Sequence, residues 1–349
     1  MRHLSVPSHD TQRILQQLKA ESALPEGARV REDPTDEGRR IIPFTEGASE
    51  ETIGQFPIIE IDVEPPPART YRDHLSDFLP SDVVESTEWP TRHEFVGDLI
   101  LLKLNDSQRE FGGAIGEALL CQHARTRAVF EDRGVTGTFR VRDLNLLAVR
   151  EDEDESTRTR IVEGGHQLWT DPTTVYYSSR LSHEREGTLN CAIKLQHEQG
   201  RPLSICDPYA GVGPSLKPLV SESGLVGELF AGDLNPAAVE FLRENITHPG
   251  ATLECVNALE LKDRPEMCEH YDLLLVNIPH DSLEHLPHLM PLLRSEGTVR
   301  GWAIVEDTEF KSTKERLNNL LGGRVNLEVR RSYSATANLC RFEGRKAPN

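Results

Sequence analysis

The sequence predicts a doubly wound α/β domain on a mainly parallel sheet, preceded by a mixed α+β middle domain and a small N-terminal module. Two observations carry this expectation. Past residue 180, strand-length apolar runs alternate with helix-period segments, the pattern of parallel strands joined by crossover helices. Within that region LSICDPYAGVGP (203–214) and GELFAGDLNPAAVEFL (227–242) each carry an apolar run into an acidic residue, Asp207 and Asp233. Ligands of such folds bind beyond the carboxyl ends of the strands, so two adjacent acidic strand ends beside a glycine turn mark a nucleoside pocket.

Gly211 and Gly213 let the backbone approach a ligand closely. The Gly-x-Gly-x-x-Gly phosphate fingerprint is incomplete, because position 216 is Leu, so the pocket suits S-adenosylmethionine better than a dinucleotide. Asp233 is then expected to accept hydrogen bonds from the ribose hydroxyls.

The elements follow in order along the chain. VPSHDTQRILQQLKAESALP spaces Ile14, Leu15 and Leu18 as one helix face behind a Ser/Asp start signal. The apolar islands IIPF and FPIIEIDV are expected to pair as strands within a module and linker spanning 1–65. In a middle domain spanning 66–170, EFVGDLILLKL reads as a strand bent at Gly97, GGAIGEALLCQHARTRAVFED as helix then strand, and TGTFRVRDLNLLAVRE as a strand. TRIVEGGHQLWTDPTTVYYSS adds short strands. The domain spanning 171–349 holds LSHEREGTLNCAIKLQ as helix, LSIC and GELFAGDL as strands and PAAVEFLREN as helix. ATLECVN, YDLLLVNIP and VRGWAIVED follow as strands, with LEHLPHLMPLL as a helix between the last two.

Length and composition bound the class. A chain of 349 residues is long enough for two or three domains. No apolar stretch reaches membrane-span length and MRHLSVPSHD lacks the apolar core of a secretory signal, so a cytoplasmic protein without a membrane partner is expected. The six cysteines show neither Cys-x-x-Cys nor a zinc-type His-Cys cluster. They are expected to be reduced, mostly buried thiols, with no metal site. The net charge of -18 ordinarily opposes a phosphate-bearing partner. Of the 39 basic residues, however, 31 are Arg and only 8 Lys. Acid-rich, lysine-poor surfaces suit concentrated salt, which also screens their repulsion from nucleic acid; a halophilic archaeal source is the expectation.

Three further segments bear chemistry. YDLLLVNIP ends a buried-type strand in Asn277-Ile278-Pro279, a triplet that can present an amide and a carbonyl to a planar nitrogen nucleophile or form a simple turn. VYYSSRLSHERE sets Glu184 between Arg180, Arg185 and the sheet. FRVR is expected to place Arg140 and Arg142 on one face of a strand.

Taken in order, VYYSSRLSHERE, DPYAGVGP, GDLNP and NIP resemble the archaeal and eukaryotic tRNA methyltransferases that act on N1 of the guanine at tRNA position 37. VGDLILLKL, AIGEALL and FRVR extend the resemblance through the middle of the chain, and VPSHDTQRILQQL carries it faintly to the N-terminus. It implies a class I methyltransferase fold with S-adenosylmethionine as cofactor. By resemblance Glu184 is the general base that removes the guanine N1 proton. Arg140 or Arg142, with a lean to Arg142, stabilises the charge that develops on the purine oxygen, and Asn277 with Pro279 holds the base edge. The same resemblance implies Tyr176, Arg185, Asp207, Ala210, Gly211, Gly213, Asp233, Leu234, Asn257, Ala258 and Asn277 around the cofactor.

Three departures stand out. Asn257 replaces an Asp of the family, GWAIVED replaces a His-Tyr-rich strand, and Ser179 replaces a Pro. The alternatives are the wybutosine-pathway aminocarboxypropyltransferases and a non-catalytic tRNA-binding relative. Asp233 and Asn277-Ile278-Pro279 oppose the first, since that sister family carries Glu in the GDLNP element and lacks Asn-x-Pro. The expected partner is tRNA, met at its anticodon loop by dispersed Arg125, Arg127, Arg140, Arg142 and Arg180 with Tyr177 for stacking. The N-terminal module meets its outer corner, and the chain is expected to act as a monomer.

Overall fold

The computed structural model describes residues 2–25, 28–61 and 70–348, and of Arg180 only the backbone. Internal contacts divide the chain into two units, Met1–Arg69 and Thr70–Asn349.

In the first unit, strands β1 (Arg2–Pro7), β2 (Arg31–Asp33), β3 (Asp36–Pro43) and β4 (Ile58–Glu60) form an antiparallel sheet in the order β2-β3-β1-β4. The helix Thr11–Ala20 buries Ile14 and Leu18 in one core with Leu4, Val6 and Ile42. The two apolar islands do not pair with each other. They flank β1, where Leu4 lies opposite both Ile42 and Ile58. RHLSVP forms the strand that the two islands needed, with Leu4 and Val6 alternating with His3 and Ser5; burial of Ser5 is made tolerable by a 2.5 Å hydrogen bond from its hydroxyl to Asp33 Oδ2. The expected limit of this module at residue 65 falls within 62–69, outside the described residues.

The second unit begins with a four-stranded sheet, β5 (His93–Val96), β6 (Leu99–Leu102), β7 (Ala128–Thr136) and β8 (Val141–Val149), in chain order. EFVGDLILLKL, expected as one bent strand, is a hairpin: Gly97 has φ +61° and a Cβ there would stand 2.0 Å from Thr159 Oγ1. The helix Gly112–Gln122 links β6 to its parallel neighbour β7. A hairpin of β9 (Thr159–Glu163) and β10 (His166–Thr170) follows. Residues of both strands share a core with β5, β6 and β7.

The larger sheet holds β11 (Leu203–Asp207), β12 (Val226–Asp233), β13 (Ala251–Cys255), β14 (Tyr271–Val276), β15 (Leu293–Glu306), β16 (Val325–Ser332) and β17 (Ala337–Arg345). Its order is β13-β12-β11-β14-β15-β17-β16; neighbours from β13 to β15 are parallel, and β17 and β16 pair antiparallel. Along β14, Leu273 and Leu275 enter one core while Leu274 and Val276 enter the other, so both faces are covered. The buried Asp272 is pinned by two 2.8 Å bonds from Arg201 and one of 2.9 Å from the Ser204 N–H, which ties β14 to β11. The pair β16 and β17 was not legible in the sequence, since VNLEVRRS carries charge through half its length.

All six cysteines are free, but only Cys206 and Cys340 are buried; Cys121 and Cys255 are exposed and the other two half-buried, so the expectation of mostly buried thiols is corrected. Among the described residues no helix is long and apolar enough to cross a membrane.

Candidate active site at the carboxyl ends of the parallel strands

The sheet order β12-β11-β14 sets three strand ends side by side, and with them Asp233, Asp207 and Asn277. Asp207 is fully buried; its Oδ1 accepts the Tyr209 N–H at 3.1 Å and its Oδ2 accepts Asn277 Nδ2 at 2.9 Å. Burial, with the charge of Asp233 nearby, pushes the Asp207 carboxyl up to about 7. Asp233 accepts the Gly211 and Asn235 N–H groups, each at 2.9 Å, and burial raises its carboxyl too. Among the described residues no basic side chain bonds to either carboxylate. The site is therefore a buried acidic pair without a counter-charge, poorly stable by itself and suited to a cationic ligand.

The two glycines act differently. Gly213 has φ +87° and packs against the helix Pro236–Asn245, where a Cβ would approach Leu242 and Ile246 carbons at 2.9 Å. Gly211 has φ +54°, and a Cβ there would meet nothing within 4 Å. It borders a cavity of about 100 Å³ also lined by Tyr176, Arg185, Ala210, Asn277 and Pro279. Six expected site residues thus share one wall. Gly213 itself is not in that lining, and Asp207 and Asp233 join it through Asn277 and the Gly211 N–H.

The remaining expected residues stand elsewhere. Leu234 is 56% exposed just beyond β12. Asn257, just past β13, caps a short turn by accepting the Leu259 N–H at 3.1 Å and reaches Glu260 at 3.3 Å, beside the buried Ala258. None of the three lines the cavity. Arg185 lines it, yet its guanidinium is committed to Glu163 and, at 2.8 Å, to the Ser178 carbonyl.

Glu184 sits in the first turn of the helix Ser182–Gln199, buried but outside the cavity lining. Its Oε1 accepts Arg330 Nε, and Arg341 Nη1 lies 3.7 Å from Oε2, an oxygen with no hydrogen-bond partner. This corrects the expected setting between Arg180 and Arg185. Only the tertiary packing of this helix against the β16–β17 pair brings Arg330 and Arg341 to the carboxylate, more than 140 residues away in sequence.

Arg140 and Arg142 do not share a strand face. Arg142 is on β8 and donates to Asp132 Oδ2 at 2.7 Å and Glu94 Oε2 at 2.8 Å, so it is locked inside the middle sheet. Arg140 belongs to the turn before β8, in the left-handed region at φ +53°, a conformation costing roughly 1–2 kcal/mol for a residue with a Cβ. Its Nη1 reaches His280 Nε2 at 3.0 Å, next to Asn277-Ile278-Pro279.

The expected RNA-contact set is likewise redistributed. Arg127 is buried and bonds Asp98, Asp154 and the carbonyls of Ser156 and Arg158. Tyr177 is half-buried with its hydroxyl on Glu163 at 2.6 Å, and Arg125 is exposed. The Arg180 side chain lies outside the described residues. His280 and Tyr333 were missed; a histidine directly after Asn-Ile-Pro was the available signal.

The profile of the TRM5/TYW2 methyltransferase domain matches residues 159–328, and that of the TYW2 N-terminal domain matches residues 71–150. The chain belongs to the TRM5/TYW2 methyltransferase family. A curated relative, the tRNA (guanine(37)-N(1))-methyltransferase Trm5b of Pyrococcus abyssi, is 29% identical over 213 residues, 60% of this chain and 59% of the relative. The chain thus spans less than two thirds of that relative in alignment. Among solved structures, Trm5b from Pyrococcus abyssi superposes with a TM-score of 0.67 at 21% identity, covering 99% of each chain. TYW2 of P. horikoshii, solved in complex with MeSAdo, superposes at 0.62 and 19% identity, covering 79% of this chain and 97% of that one. At these identities the structures establish the fold, a class I methyltransferase domain. The family holds two branches, TRM5 and TYW2, so membership by itself leaves the transferred group open.

Proposed function

We propose that this protein is an S-adenosylmethionine-dependent methyltransferase acting on N1 of guanosine at tRNA position 37. The observation that carries the reading is the Asn277–Asp207 hydrogen bond, because it couples the Asn-Ile-Pro segment of the acceptor side, which lines the cavity, to the acidic pair of the donor side behind it.

The residues present fit the cofactor. A sulfonium and an ammonium group supply the positive charge that Asp207 and Asp233 lack. The oxygens of Asp233 retain lone pairs for ribose hydroxyls, and Gly211 leaves open the space a side chain would fill. When bound, S-adenosylmethionine supplies an electrophilic methyl group. Tyr176, Ala210, Gly211, Asp207 and Asp233 would hold it, with Leu234, Asn257 and Ala258 beyond β12 and β13 toward its adenine end.

Guanine N1 bears a proton at neutral pH, so a base is required before it can act as a nucleophile. Glu184 takes that role, its Oε2 free of hydrogen bonds and its Oε1 held by Arg330. As the proton leaves, charge grows on the purine oxygen, and Arg140 stabilises it. Its contact with His280 favours it over Arg142, whose donors are occupied by Asp132 and Glu94. Asn277 and Pro279 hold the base edge in line with the methyl donor.

The three-part organisation follows from this reading. Residues 1–65 meet the outer corner of tRNA, 66–170 hold the anticodon loop and supply Arg140, and 171–349 bind the cofactor, in a cytoplasmic monomer. Purified protein should transfer one methyl group to a tRNA transcript with guanosine at position 37 and none to a transcript lacking it. Nucleoside mass analysis checks both the site and the group. An aminocarboxypropyl adduct would assign the chain to the TYW2 reaction, and no adduct at all to a binding role.

A further inference from the structure

Three segments remote in sequence converge on the imidazole of His280. Arg140, in the β7–β8 turn, places Nη1 3.0 Å from His280 Nε2. Tyr333, in the loop between β16 and β17, places its hydroxyl 3.4 Å from the same nitrogen, with the rings 5.6 Å apart and nearly perpendicular at 80°. His280 itself lies in the turn that follows β14, closed by a 3.2 Å bond from the Asp281 N–H to the Ile278 carbonyl. That turn is fixed to β15 by the Ile304 N–H, which donates to the Pro279 carbonyl at 2.9 Å.

The donors fix the imidazole's state. A guanidinium can only donate, so Nε2 must present its lone pair and the ring proton must sit on Nδ1. Arg140 is a long side chain from a strained left-handed turn, and its other described contacts give its guanidinium no further anchor. With His280 present, the charge is held at the residue that follows Pro279 in the chain. The Tyr333 ring, 49% exposed, meets His280 at close to a right angle and restricts its rotation.

We propose that His280, supported by Tyr333, is a positioning residue that holds the Arg140 guanidinium at the acceptor half of the site. This rests on the reading of Arg140 as the group that stabilises the guanine oxygen. A misplacement of about 1 Å at such a site costs on the order of a hundredfold in rate, so His280→Ala should lower kcat roughly ten- to a hundredfold while KM for the transcript changes little. His280→Gln keeps an uncharged acceptor near the same place and should recover most of that loss.

A residue acting only through Arg140 has a further signature, measured on the full chain with a guanosine-37 transcript. The double variant Arg140→Ala/His280→Ala should be no slower than Arg140→Ala, because the second change removes support from a group already absent. S-adenosylmethionine affinity, measured by calorimetry without RNA, should be the same in wild type and in all these variants. Additive losses in the double variant, or full activity in His280→Ala, would overturn the proposal. Absence of methyl transfer by the wild-type protein would instead overturn the reading on which it rests.

Discussion

Asn277 Nδ2 donates to Asp207 Oδ2 across 2.9 Å, joining the end of β14 to the end of β11 at a fully buried carboxylate that meets no cation among the described residues. The amide is thereby oriented by Asp207.

This pair makes stability depend on pH. Burial raises the Asp207 carboxyl from 3.8 to about 7, so between roughly pH 4 and 7 the folded protein holds a proton that the unfolded chain has released. Stability must then fall as pH rises through that window. Asp207→Asn removes the titrating group. The melting temperature of the ligand-free variant should gain on wild type from pH 4 to 7 and hold its advantage above. Parallel curves for the two proteins would refute the assignment.

Arg140 and Arg142 should separate by what they damage. Arg142→Ala leaves Asp132, itself only 9% exposed, without its partner and should cost about 2–4 kcal/mol of stability. Arg140→Ala should leave the melting temperature nearly unchanged and reduce kcat by roughly 10²–10³. Thermal melts and single-turnover transfer on the same preparations test both.

Glu184→Gln retains shape but cannot take a proton, and its weaker bond to Arg330 leaves the helix start intact. Methyl transfer should drop about 10²–10⁴-fold with cofactor affinity preserved. Turnover equal to wild type would remove Glu184 from the mechanism.

Alanine at the two glycines should act through different physics. Gly213→Ala meets Leu242 and Ile246 carbons at 2.9 Å in a left-handed backbone, so the folded state suffers. Gly211→Ala meets open space, and after roughly 1–2 kcal/mol of backbone strain its main effect should be weaker S-adenosylmethionine binding. Calorimetric affinity alongside melting temperature distinguishes them.

The acid-rich, lysine-poor composition gives a salt prediction. Melting temperature should rise from low to molar KCl as the self-repulsion of a chain carrying -18 is screened. A protein most stable at low salt would contradict the halophilic reading.

Much of the cluster at the carboxyl ends of β11 and β12 was legible in the sequence because it is local. A strand, an acidic end and a glycine turn lie within a dozen residues, so LSICDPYAGVGP already placed Asp207, Gly211 and Gly213, and the alternation after residue 180 placed the parallel sheet. The Asn-Ile-Pro segment was legible for the same reason. What the sequence could not decide were relations between side chains far apart along the chain. Arg142 faces two carboxylates and Arg140 faces His280 because β8 begins only at Val141, two residues into FRVR, which takes Arg140 out of the strand. Glu184 meets Arg330 rather than its neighbours in sequence because the β16–β17 pair, itself hidden by its charges, packs beneath the helix start. Local patterning fixes elements and turns; which charge meets which partner is chosen by packing, and here that choice separates an arginine locked in a sheet from one that reaches His280, next to Asn277-Ile278-Pro279.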